Sequence, residues 1–130
     1  MKDILVPVSP GELVDKITIL RIKAERITDA AKLHNVRVEL EALEATWRQC
    51  GAPVESVAAD EAALQKVNEA LWDIEDRIRD KERDRLFDAE FIELARAVYV
   101  TNDERAALKK RINLALGSRL VEEKSYAQYR

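Results

Sequence analysis

Between Arg96 and Lys109 the chain carries three cations, a phenol and an amide: Arg96, Tyr99, Asn102, Arg105 and Lys109. These are side-chain types that hold a phosphate or a carboxylate. Thr101-Asn102-Asp103-Glu104 has the spacing of a capping box. A helix starting there would add free backbone N–H groups and the positive end of its dipole. Lys16 and Glu75 are the residues of two other segments best able to face this point, the first as a charge clamp and the second as a general base. Together the set could bind, or act by acid–base chemistry on, a small anionic metabolite. The competing reading is structural. Glu75, Glu82, Arg79 and Arg105 project onto faces that should be apolar, and an ion-pair network fixing helix register would account for them without any ligand.

Other chemistries find less support. Glu12/Asp15 and Glu41/Glu44 have the three-residue spacing of magnesium-holding carboxylates in all-α pyrophosphohydrolases, but such pairs recur by chance on charged helices. A di-iron centre needs Glu-x-x-His on two helices, and the chain has one histidine, His34, and one cysteine, Cys50. No zinc cluster, activated Ser or Cys, or glycine-rich phosphate loop can be assembled from these residues. The expectation is therefore no metal and no cofactor.

The elements that must position these residues are helices. Ser9, Pro10 and Glu12 form a helix start, and the stretch to Ile27 is apolar on most sides, as expected of a central helix. A second helix is predicted from Ala30 to Cys50, with the seam Leu33, Val36, Leu40, Leu43, Trp47 and Cys50. A connector spans 52–59. A third helix from Asp60 repeats the seam with Leu64, Val67, Leu71, Ile74 and Ile78, which predicts a coiled-coil-like antiparallel hairpin of the second and third helices. Asp88 caps a fourth helix, and the capping box at Thr101 predicts a fifth, ending at Gly117. The fold class expected is an all-α bundle of about five helices in one domain over 1–130. Lys2–Val8 reads as a short extended segment needing a partner from the C-terminal stretch, a second subunit or a groove. A homo-oligomer is predicted on that ground.

Composition sets outer bounds. With 130 residues, 36% charged, and three Gly and three Pro, the chain has the make-up of long helices around one core. No apolar run approaches the roughly 20 residues of a membrane span, and the N-terminus lacks a secretory apolar region. The expectation is a cytoplasmic protein with no membrane contact. The net charge of −3 argues against nucleic acid. It is unevenly spread: Arg105–Arg130 holds seven basic and two acidic residues, +5, against 15 and 23 upstream, −8. That cationic district either complements the acidic remainder or serves an anionic small molecule.

The opening Val8-Ser-Pro-Gly-Glu-Leu-Val-Asp-Lys-Ile-Thr-Ile-Leu20, with Leu71-Trp72-x-Ile74-Glu75-Asp76 and Tyr99-x-Thr-Asn-Asp-Glu-Arg-Ala-Ala-Leu-Lys-Lys-Arg-Ile-Asn113, resembles an uncharacterised bacterial family known as a domain of unknown function. The resemblance implies a setting beside surface-polysaccharide synthesis, hence sugar or nucleotide-sugar metabolism, and transfers no catalytic residue. A fainter similarity is to helical chorismate mutases, whose long first helix turns Arg and Lys toward an anionic substrate. The helix lengths and the pattern after Ile27 depart from it. Two functions follow as expectations: a helical binding or assembly module, or an enzyme of anionic metabolites with an Arg/Lys-lined pocket.

Overall fold

Ser9 starts the first helix as its sequence requires: its Oγ accepts from the Glu12 N–H at 3.2 Å, and Pro10 occupies the first turn. Asp29 and Asp88 cap two further helices, accepting from the Lys32 and Phe91 N–H groups, each at 3.0 Å. A computed structural model describes residues 1–130. It contains α1 (Pro10–Arg26), α2 (Ala30–Gln49), α3 (Ala58–Arg83) and α4 (Ala89–Ala115), with a 3-10 turn at Val54–Val57 leading into α3. No strand forms.

α1 is the one helix that packs against the other three. It runs antiparallel to α4, pairing Gly11 with Asn113 and Asp15 with Arg105, and parallel to α3, pairing Asp15 with Asn68 and Arg26 with Asp73. The core joins Leu13, Val14 and Ile17 of α1 to Trp47 of α2, Val57, Leu64 of α3 and Ile112 of α4. Burying each Leu or Ile contributes about 1.5–3 kcal/mol. The central role expected of the first helix is thus the observed one.

Two expectations are corrected. The fourth and fifth helices are a single α4, so the bundle has four helices and no helix start at Thr101. The long antiparallel hairpin is α3–α4, tied by Arg77–Glu90 at 2.8 Å and Asp60–Arg111 at 3.0 Å. α2 packs along α1 and its backbone does not approach that of α3; Arg21 of α1 bridges the two through Glu44 at 3.3 Å and Glu61 at 2.8 Å. The seams on α2 and α3 do point inward, except for Cys50, which lies past the end of α2 and is exposed, and α1 is the helix against which both pack. Asn102 and Asp103 sit mid-helix with their oxygens turned to side chains instead of an N-terminal turn: Asn102 accepts from Arg105 one turn on in the same helix, and Asp103 accepts from the Tyr129 hydroxyl of the tail.

At 26 and 27 residues, α3 and α4 outrun the 17-residue α1 by about 13 Å or more. Their joined ends leave Leu86, Phe87 and Ile92 exposed. Met1–Val8 makes no backbone hydrogen bond. Its Asp3–Leu5 part borders a hollow on α2, its Pro7 and Val8 approach Leu120–Glu122, and Ile4, Leu5 and Val6 stay largely exposed.

Candidate functional site

Asp15 is the most deeply buried charge in the protein, with 1% of its surface exposed. It reaches the interior because Gly11, Asp15, Thr18 and Ile22, at steps of four, three and four, share one face of α1, and that face meets both α3 and α4. Arg105 grips it with Nε to Oδ1 at 2.9 Å and Nη2 to Oδ2 at 2.5 Å. Asn68 donates to Oδ1 at 3.0 Å and to the Thr18 hydroxyl at 2.9 Å. Lys109 Nζ stands 4.0 Å from Oδ2, and is held by Glu12 at 2.7 Å and Glu122 at 3.2 Å.

Burial alone would raise the Asp15 pKa. The hydrogen bonds from Arg105 and Asn68, and the charges of Arg105 and Lys109, more than offset this and hold it below the ordinary carboxylate value. Lys109 shows the mirror case: burial pushes its pKa down, while Glu12 and Glu122 bring it above the ordinary value. The helices come close enough for this arrangement because residue 11 is glycine. Its N–H donates to Asn113 Oδ1 at 2.7 Å, and a Cβ there would stand 2.4 Å from the Lys109 carbonyl oxygen.

Above the Asp15–Arg105 pair lies a groove of about 390 Å³ between α1, α3 and α4. Its apolar wall is Ile19, Ile22, Leu71 and the indole of Trp72, over one side of which stands the Arg26 guanidinium, 5.9 Å from the ring centroid and paired with Asp73; its polar groups are Asn68, Asn102, Arg105, Glu75 and Asp76. Asn68 spends its two N–H donors inward, and its Oδ1, bonded to no protein donor and not sealed from solvent, is left for the groove. Arg105 directs Nη1 toward Asn102 Oδ1 at 3.5 Å. Glu75 already accepts from Arg79 Nε at 3.1 Å, whereas Asp76 has no ion-pair partner. The groove therefore offers donors, acceptors and an aromatic face, and no uncommitted cation.

The residues expected to form an anion site separate accordingly. Glu75, Asn102 and Arg105 meet in the groove. Lys109 is consumed by Glu12, Glu122 and Asp15. Lys16 points to solvent, 3.8 Å from Glu12. Arg96 is exposed and forms no ion pair. Tyr99 faces a different hollow, against the C-terminal tail. With α4 continuous, the backbone N–H groups and dipole expected at Thr101 are absent. The expected network of Glu75, Glu82, Arg79 and Arg105 is also revised: Arg105 serves Asp15, the Arg79–Glu75 pair is an exposed i,i+4 contact, and Glu82 pairs with nothing. No three His, Cys, Asp or Glu side chains gather in a metal-holding group.

Asn68 and Asp76 are not among the site residues read from sequence, and Asp15 enters there only as half of a carboxylate pair with Glu12. For Asp15 the signal was present, in the glycine one turn before it and the threonine one turn after; for Asn68 it was a lone amide one residue after Val67 on the seam.

Residues 4–129 match the model of a family of unknown function, DUF6165, and the chain belongs to that family. Neither a curated protein nor a solved structure matches the chain. No helix is long and apolar enough to cross a membrane.

Proposed function

We propose that the protein is a small helical binding module whose groove takes a neutral sugar ring, working in surface-glycan or nucleotide-sugar synthesis. The observation that carries this is the state of Arg105. It is the one cation lining the groove, and its charge is matched by the buried Asp15 beneath it. An incoming phosphate or carboxylate would meet Glu75 and Asp76 without a free counter-charge, and would have to compete for a guanidinium already held in a two-point grip. A neutral polyhydroxylated ring suffers neither difficulty. Its C–H face lies against the Trp72 ring, whose negative quadrupole favours polarised C–H edges. Its hydroxyls, each donor and acceptor, match Asn68 Oδ1, the Asn102 amide and the two carboxylates. The volume is within the range of small-molecule sites.

The alternative, an enzyme acting on an anionic metabolite, called for an Arg/Lys-lined pocket; Lys16, Arg96 and Lys109 lie elsewhere or are engaged, which weighs against it. The surface-glycan setting and a cytoplasmic location rest on the family resemblance and on composition. Self-association is part of the proposal, supported by the N-terminal segment, which leaves its backbone unpaired and Ile4, Leu5 and Val6 exposed.

The test is a protein-observed NMR titration with neutral hexoses and N-acetylhexosamines. Binding in the groove should move the side-chain amide signals of Asn68 and Asn102 and the Trp72 indole signal together. A sugar that moves none of the three, while binding is detected by another method, places the site elsewhere.

A further inference from the structure

We infer that the groove is one of two adjoining subsites and that the ligand is a glycan chain of two or more rings, crossing α4 at Asn102; this rests on the sugar-binding reading above. The second hollow, about 570 Å³, lies between α4 and the C-terminal tail and is lined chiefly by Tyr99, Asn102, Asp103, Lys124, Tyr126 and Tyr129. Asn102 lines both hollows. Tyr99, Asn102 and Arg105, at steps of three, form one ridge along α4, so that the tyrosine belongs to one hollow, the arginine to the other, and the amide stands between them.

The second hollow repeats the chemistry of the first. Tyr99 and Tyr129 meet edge to face with centroids 4.8 Å apart, and the Tyr129 hydroxyl donates to Asp103, which holds the tail against α4. The Tyr126 ring remains largely exposed at the rim, with the Lys124 ammonium over it, 5.8 Å from the ring centroid. Each hollow thus pairs aromatic surface with amide and carboxylate groups. A ligand whose units repeat is the one such a duplication fits. A nucleotide sugar would present its diphosphate at the junction, where Arg105 is bound to Asp15, Asp103 follows Asn102 directly, and Lys124, which lines the second hollow, is 3.8 Å from Glu122.

The experiment is calorimetric titration of the full-length protein with the one-, two- and four-residue oligomers of glucose, galactose, mannose and N-acetylglucosamine, and with UDP-glucose. For at least one series the tetrasaccharide should bind about tenfold or more tighter than the monosaccharide. Tyr126→Ala, at an exposed position, should remove that gain and leave monosaccharide affinity unchanged. Equal affinity for one and four residues, or a Tyr126→Ala loss shared equally by both, overturns the second subsite while the groove reading stands. UDP-glucose binding tighter than every tetrasaccharide overturns it in favour of a nucleotide sugar. Absence of binding by every sugar overturns both readings.

Discussion

Arg105 closes on Asp15 across 90 residues of sequence with two parallel hydrogen bonds, and so ties the fourth helix to the first at the floor of the groove. Burial makes this pair asymmetric: each partner is costly without the other. Arg105→Ala should therefore lower stability by about 3–5 kcal/mol, because it leaves a buried carboxylate uncompensated. The double replacement Asp15→Leu with Arg105→Met should recover most of that loss. Urea unfolding of the two variants beside the original protein checks both statements, and an Arg105→Ala cost below about 0.5 kcal/mol would show that the pair does not hold the helices.

How much of this was legible in the sequence follows from how far each feature reaches along the chain. The caps at Ser9, Asp29 and Asp88 and the inward seam Leu64, Val67, Leu71, Ile74 and Ile78 are local, and local periodicity finds them. The hairpin partner of α3 is not local. The seams on α2 and α3 were equally apolar, and only the packing of both against α1 decided against their pairing. Thr101-Asn102-Asp103-Glu104 has the spacing of a helix start, but α4 runs through it: Asn102 accepts from Arg105 of the same helix and Asp103 from Tyr129 of the tail. Arg105 and Glu75 stand out in the sequence because charge on an apolar face is conspicuous, and Asn102 because it lies in a capping-box spacing; the three line one groove. Asp15 enters only in a pair with Glu12 because its partner Arg105 lies 90 residues away.

Gly11 sets the distance between α1 and α4. A methyl group there would stand 2.4 Å from the Lys109 carbonyl oxygen and 2.8 Å from Asn113 Oδ1. Backbone is the obstacle, so relief requires moving a helix. Gly11→Ala should cost about 1–3 kcal/mol, against the gain that alanine usually brings inside a helix. A calorimetric melting temperature equal to or above that of the unaltered protein would refute the close approach.

The depressed Asp15 pKa fixes the sign of an acid effect. Its folded value lies below its unfolded one, so its contribution is complete above the ordinary carboxylate pKa of about 3.9 and is lost as pH falls from there through the folded value. Lys109 has the opposite sign: its contribution is complete below about 10.4 and is lost as pH rises through its raised folded value. Asp15→Asn should flatten the fall in stability below about pH 4, leaving the alkaline limb in place. An acid limb as steep in the variant as in the original protein would remove Asp15 as its source.

The N-terminal segment carries the oligomer prediction. A stretch with unpaired backbone and exposed Ile4, Leu5 and Val6 is a template for a second chain. Light scattering at high micromolar concentration should report a mass above that of one 14.8 kDa chain. Deleting Met1–Val6 should return it to that of one chain. A monomer before deletion ends the prediction.

The central claim is that the groove prefers a neutral ring because Asp15 has already claimed Arg105. Its most direct measurement is isothermal titration of the full-length protein with each hexose that binds and with the 6-phosphate of the same hexose, repeated on Trp72→Leu, which keeps apolar bulk and removes the ring. The neutral sugar should bind about tenfold or more tighter than its phosphate. Trp72→Leu should lose most of that affinity while its unfolding midpoint stays close to the original. A phosphate that binds as tightly as the neutral sugar, or a Trp72→Leu protein that binds undiminished, contradicts the account.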